Sequence, residues 1–141
     1  MTNFTLTATV LAPYDPTLER VRELLAEAGF GVLTEIDLRA TLKTKLGVDI
    51  APQVILGACR PQLAHQALQA DARVATMLPC NVVVAAEGED RTRVEAFDPA
   101  VMMSFSDAVG LAAVAEEARE RLSGMMKALS DEMETPDATR A

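Results

Sequence analysis

The sequence predicts an α+β domain: a mixed, mainly antiparallel sheet with helices packed on one face. Three observations lead there. Stretches of period two alternate along the chain with stretches of period 3.6. The turn Gly88-Glu89-Asp90 joins two apolar runs, and such a tight hairpin makes at least one strand pair antiparallel. Half of the 141 residues are hydrophobic, enough for one core, and the length suits one domain. That domain is expected over residues 1–130, with 131–141 as a flexible polar tail.

The first strand is Phe4 to Leu11, where Phe4, Leu6, Ala8 and Val10 alternate with threonines. Asp15 is placed to cap a helix and Pro16 to occupy its first position, where the amide has no partner anyway. Leu18, Val21, Leu25 and Ala28 continue at helical spacing, and Gly29 ends the helix in the left-handed conformation. Phe30 to Ile36 is the second strand, with Phe30, Val32, Thr34 and Ile36 on one face. Asp37 caps a short helix with Leu38, Leu42 and Leu46 on its stripe, and Gly47 stops it.

The strand Gln53 to Cys59 runs into a helix that starts at Pro61 and continues to about Ala70. Val74 to Leu78 has no clear period and reads as a helical turn or loop. In Cys80 to Ala86, Val82, Val83 and Val84 stand in a row, the pattern of a central strand covered on both sides. Arg91 to Phe97 is its return, with Val94 and Ala96 inward. Ser104 and Asp107 resemble a capping box for a last helix ending near Leu129. Leu111, Val114 and Leu122 lie on its buried stripe.

Composition excludes several classes of function. The formal net charge is −8, and an acidic surface repels phosphate backbones, so no nucleic-acid partner is expected. Basic residues are dispersed singly, no apolar run is long enough to span a bilayer, and the N-terminus lacks the pattern of a signal peptide. No membrane partner is expected, and the protein is expected in the cytoplasm. Its two cysteines then read as free thiols. There is no glycine-rich phosphate loop.

Several runs resemble a known family. They are Gly31-Val32-Leu33-Thr34-Glu35-Ile36-Asp37, Ala40-Thr41-Leu42-Lys43 with Lys45-Leu46-Gly47, Ile55-Leu56-Gly57-Ala58-Cys59 with Pro61, Ala64 and Ala67-Leu68, and Leu78-Pro79-Cys80-Asn81-Val82-Val83-Val84. The resemblance is to the prokaryotic family named domain of unknown function 302, over roughly Phe4 to Met103. It implies a curved antiparallel sheet backed by helices, like half of the TATA-binding protein, and self-association as a homodimer. It implies no reaction, and fold alone does not bring DNA binding with it.

Thiol and imidazole chemistry gathers around the junction Cys59-Arg60-Pro61, the only histidine, His65, one turn beyond it, and Cys80 at the next strand start. A thiol before a helix N-terminus and beside an arginine gains thiolate character. The alternative for Cys59 and Cys80 is plain packing, since free cysteine is among the most buried residue types. Whether the two thiols are neighbours depends on whether their strands run antiparallel. Cys59, His65 and Cys80 together would make a three-ligand set, but no Cys-x-x-Cys or His-x-x-x-His spacing accompanies them, and no metal is assigned. Glu35 and Asp37 stand as a carboxylate pair or as an exposed strand edge. Two functions follow: a homodimeric protein holding a small molecule or partner in a groove of its sheet, or a thiol-dependent enzyme or redox-responsive protein working through Cys59.

Overall fold

The computed structural model describes residues 3–133. In chain order the elements are β1 (Thr5–Val10), α1 (Tyr14–Glu27), β2 (Gly31–Asp37), α2 (Leu38–Leu46), β3 (Gln53–Cys59), α3 (Pro61–Ala70), a first 3-10 turn (Ala72–Met77), β4 (Cys80–Gly88), β5 (Arg91–Phe97), a second 3-10 turn (Pro99–Ser104) and α4 (Leu111–Met133). The five strands form one sheet in the order β1-β5-β4-β3-β2. Every neighbouring pair is antiparallel, so the sheet is not mixed. The reason lies between β3 and β4. The chain leaves the end of β3 through α3, turns through the first 3-10 segment and re-enters at the same end, setting Cys80 opposite Ala58.

Period two puts Ala8, Val10, Val54, Leu56, Ala58, Val82, Val84, Val94 and Ala96 on one face. Val21, Leu24 and Leu25 of α1 and Leu122, Met125, Met126 and Leu129 of α4 cover them. A second cluster joins Leu63 and Ala67 of α3 and Val74 to Leu111, Val114 and Ala118 of α4. The expected inward positions Leu111, Val114 and Leu122 are all buried.

Several local expectations change. Helix α1 begins at Tyr14 after Pro13, which gives no side-chain cap. Pro16 lies inside the first turn, where its missing amide is still one of the unpaired donors. Arginines reach the other end of this helix: Arg121 Nη1 donates to the Ala28 carbonyl at 3.0 Å and Arg60 Nη1 to the Gly29 carbonyl at 3.5 Å. Gly29 has φ +90°, and a β-carbon there would collide with Arg60 Nη1. The guanidinium could swing aside, so it is the positive φ that favours glycine here.

Ser104 does not cap α4, because the chain from Pro99 to Ser104 makes its own 3-10 turn with Asp98 accepting from the Ala100 amide at 3.0 Å. Helix α4 begins at Leu111 and runs one turn past Leu129 to Met133. In that turn Glu132 pairs with Arg20 at 2.6 Å, and Met133 packs against the core. The expected tail beyond Met133 lies outside the described residues.

Strand β2 departs furthest. A bulge between Val32 and Thr34 sets Val32 opposite Ala58 but Thr34 opposite Gly57 and Ile36 opposite Ile55. The extra residue shifts the alternation, so Val32 and Ile36 face opposite sides of the sheet. No residue of β2 or α2 is buried. Asp37 caps α2 as expected, accepting from the Ala40 amide at 2.9 Å, and Glu35 pairs with Arg22. These two carboxylates are thus a cap and an ion pair.

Candidate functional site

Among the described residues no helix lies over the middle of the sheet face turned away from α1 and α4. Alternation sends Thr5 and Thr7 of β1, Arg93, Glu95 and Phe97 of β5, Asn81 and Val83 of β4, and Gln53 and Ile55 of β3 to that side. Val82 and Val84 are fully buried, but Val83 is only partly covered. The triple-valine strand is therefore covered by helices on one face only, and its middle valine floors a groove. One wall is the segment Thr76-Met77-Leu78-Pro79, together with Phe105 from the loop before α4; Phe4 and Phe97 stand on the β1–β5 side. The groove has a volume of about 590 Å³, in the range of small-molecule sites.

Close packing shapes the wall. A β-carbon on Gly57 would strike Thr34 Oγ1 and come within 2.8 Å of Pro79 Cγ, so glycine is what lets Pro79 lie over the end of β3. Asp71 holds the adjoining end. Its carboxylate accepts from Arg73 Nη2 at 2.8 Å, from Ser106 Oγ at 2.7 Å and from the Arg73 amide at 3.0 Å. The Arg73 guanidinium first and the Ser106 hydroxyl second keep that carboxyl well below the usual carboxylate range. The Asp71–Ser106 bond ties the first 3-10 turn to the loop that carries Phe105. A smaller pocket of about 310 Å³ between these segments shares Thr76, Met77 and Phe105 with the groove.

The polar side of the groove is an ionic network with Arg93 between two carboxylates. Glu95 Oε2 accepts from Thr5 Oγ1 at 2.9 Å and Thr7 Oγ1 at 3.3 Å. Arg93 Nη1 donates to Glu87 Oε2 at 2.7 Å. Arg93 Nε lies 2.9 Å from Glu95 Oε1, an ion pair whose angle falls outside hydrogen-bond geometry. The side-chain amides of Gln53 and Asn81 differ: among the described residues neither has a protein partner.

The junction singled out from sequence is a separate place. Cys59 and Cys80 do come together, since the antiparallel return puts Cys80 beside the end of β3, and both line a tight apolar cleft with Leu63, Ala67 and Met102. Both are free thiols. Of the two readings of Cys59, an acidic thiol or plain packing, the burial here favours packing. Burial pushes its thiol up, not down. Burial, and then the neighbouring Cys59, push Cys80 up to about 11. Arg60 gives no help because its guanidinium is turned to the Gly29 carbonyl and, at 3.8 Å, to Glu117. Desolvation is the cause of the upward shift at Cys59. His65 is exposed on α3 and does not line the cleft. Among the described residues no group of three or more His, Cys, Asp or Glu side chains is placed to hold a metal ion.

The groove residues Phe4, Gln53, Asn81, Val83, Phe97 and Phe105 were not among the candidate site residues read from sequence. One signal was present. Three of the four phenylalanines of an aromatic-poor chain line this one groove, yet they are scattered in sequence and only the sheet register gathers them.

Fold and site define a class of protein: an α+β domain whose antiparallel sheet is backed by helices on one face and presents a groove on the other. The chain belongs to the family of the domain of unknown function DUF302, whose model matches residues 6–129. It is similar to the crystal structure of an uncharacterized conserved DUF302 protein from Bacillus stearothermophilus, with 31% sequence identity and a TM-score of 0.80 over 89% of this chain and 98% of that one. No curated protein matches it.

Proposed function

We propose that this protein binds a small molecule in the groove on the open face of its sheet. The observation that carries the reading is the pair of unpartnered amides, Gln53 and Asn81, flanking the apolar floor at Val83. An apolar surface with a few convergent polar groups is the usual make-up of a ligand site. Thiol chemistry lacks comparable support, because burial raises both thiols instead of favouring thiolate. The test is native mass spectrometry of protein purified from its own host, wild type beside Val83→Arg. A bound mass lost in the variant is expected. Equal masses for both proteins, with neither carrying a ligand, would remove the reading.

The working form we propose is a cytoplasmic homodimer joined through β2. This strand is a sheet edge, and an edge presents a row of unpaired amides and carbonyls. Leu33 and Ile36 on it, with Leu46 and Val48 at the end of α2 and beyond it, are apolar side chains left exposed among the described residues. A second copy adding antiparallel, β2 to β2, satisfies both demands with one twofold axis. Sedimentation equilibrium at micromolar concentration should show a dimer for wild type and a monomer for the double variant Leu33→Lys, Ile36→Lys. A wild-type monomer would refute this arrangement.

No helix among the described residues is long and apolar enough to cross a membrane.

A further inference from the structure

We infer that the ligand of the groove is an uncharged, planar, fused heteroaromatic ring whose edge carries both hydrogen-bond donors and acceptors. This rests on the groove being a binding site and goes on to name its occupant. Three observations converge on that chemistry.

The first is where the aromatic residues lie. The chain has four phenylalanines and no tryptophan. Phe30 is in the core, while Phe4, Phe97 and Phe105 line the groove. Phe4 is 58% exposed and Phe105 is 70% exposed. Exposed phenylalanine gains nothing for the fold, because its ring is worth most when it leaves water. Two such rings bordering one groove offer faces and edges against which a flat π-system packs, and base–aromatic stacking is sequence-tolerant because every heteroaromatic base has such a face.

The second is the pair of free amides. Gln and Asn side chains each present a carbonyl acceptor and two N–H donors, the pattern that matches a ring nitrogen next to an amino or carbonyl group. Gln53 pairs in register with Ala85 and Asn81 with Gly57, so the two amides stand four residues apart along the β3–β4 ladder. That spacing is about 13 Å along the strands before the side chains lean inward. It suits a fused two- or three-ring system reaching both amides better than a single ring. An aliphatic chain would leave both amides dry and unpaired, a cost it cannot offset.

The third is charge. Among the described residues Arg93 is the only cation lining the groove, and Glu87 and Glu95 already hold it. The chain as a whole carries −8. A phosphate or carboxylate would find no free cation among the described residues and would meet Glu95 instead. The ring is therefore bound without an ionised phosphate, as a free base or nucleoside-like molecule.

The experiment uses the full-length protein and four probes: riboflavin, its phosphorylated twin FMN, adenosine and 1-octanol. Binding is read by saturation-transfer NMR and titration. Riboflavin or adenosine should bind, and FMN should bind more weakly than riboflavin. Phe105→Ala and Asn81→Asp should each weaken the ring about tenfold, the scale of one stacking or hydrogen-bonding contact. Both side chains are exposed, so circular dichroism and the melting temperature should stay at wild-type values. If 1-octanol binds and is lost in Val83→Arg while neither ring compound binds, the ring assignment fails and the groove remains a binding site. FMN binding as tightly as riboflavin overturns the uncharged assignment. If no probe binds and Val83→Arg also leaves the native mass unchanged, the inference and the groove reading fail together.

Discussion

Raising the pH through the titration of Cys80 should destabilise the protein. Cys80 is buried at the start of β4, and burial first, then the adjacent Cys59, raises its thiol from the ordinary 9.0 to about 11. Below pH 9 the thiol is protonated in native and unfolded chains alike, so it adds no pH dependence. Between 9 and 11 the unfolded chain releases the proton and the native chain keeps it. The native state then binds more protons, and stability falls as pH rises. A two-unit shift is about 2.7 kcal/mol over the whole window, and about 1.4 kcal/mol of it is lost by pH 10. Urea unfolding under reducing conditions from pH 7 to 10.5, wild type beside Cys80→Ala, reads this directly. The variant starts lower by about 1 kcal/mol for the lost packing. The wild-type curve should then fall towards it and cross near pH 10. Parallel curves across the whole range would mean that Cys80 is solvated in the folded protein, and the case against thiol chemistry would go with it.

Two further substitutions probe the frame that holds the groove. Leu122 is fully buried between α4 and the sheet, so Leu122→Ala should cost about 2–5 kcal/mol in chemical denaturation; a loss below about 0.5 kcal/mol would place that helix face in solvent. Gly57→Ala pushes a methyl group against Thr34 and Pro79. Overpacking of this kind costs about 1–3 kcal/mol, and because Pro79 lines the groove the variant should also lose ligand mass in native spectrometry. An unchanged melting temperature would mean that Pro79 moves aside freely.

The sequence alone determined the local elements, because their causes are local. Alternation in Leu6, Ala8 and Val10 made a strand whose inward positions hold in the folded chain. Leu111, Val114 and Leu122 at helical spacing marked the buried stripe of α4, and Pro61, Gly29 and Gly88 marked a helix start, a helix end and a hairpin. The pairing of Cys59 with Cys80 was legible only as a condition on strand direction, and the tertiary structure met that condition.

What only the tertiary structure decided depends on groups distant in sequence. The β2 bulge splits Val32 from Ile36, and no one-strand pattern announces an extra residue. The run Val82-Val83-Val84 has one pattern whether a second layer covers it or not, so the open face at Val83 was invisible until the helices were placed. Arg60 follows Cys59 in the chain, but its charge is directed to Gly29 and Glu117. Phe4, Phe97 and Phe105 meet only because β1 pairs with β5 and the Asp71–Ser106 bond holds the loop before α4. Proximity in sequence sets which backbone conformations are cheap, whereas desolvation and convergence of side chains are properties of the packed sheet.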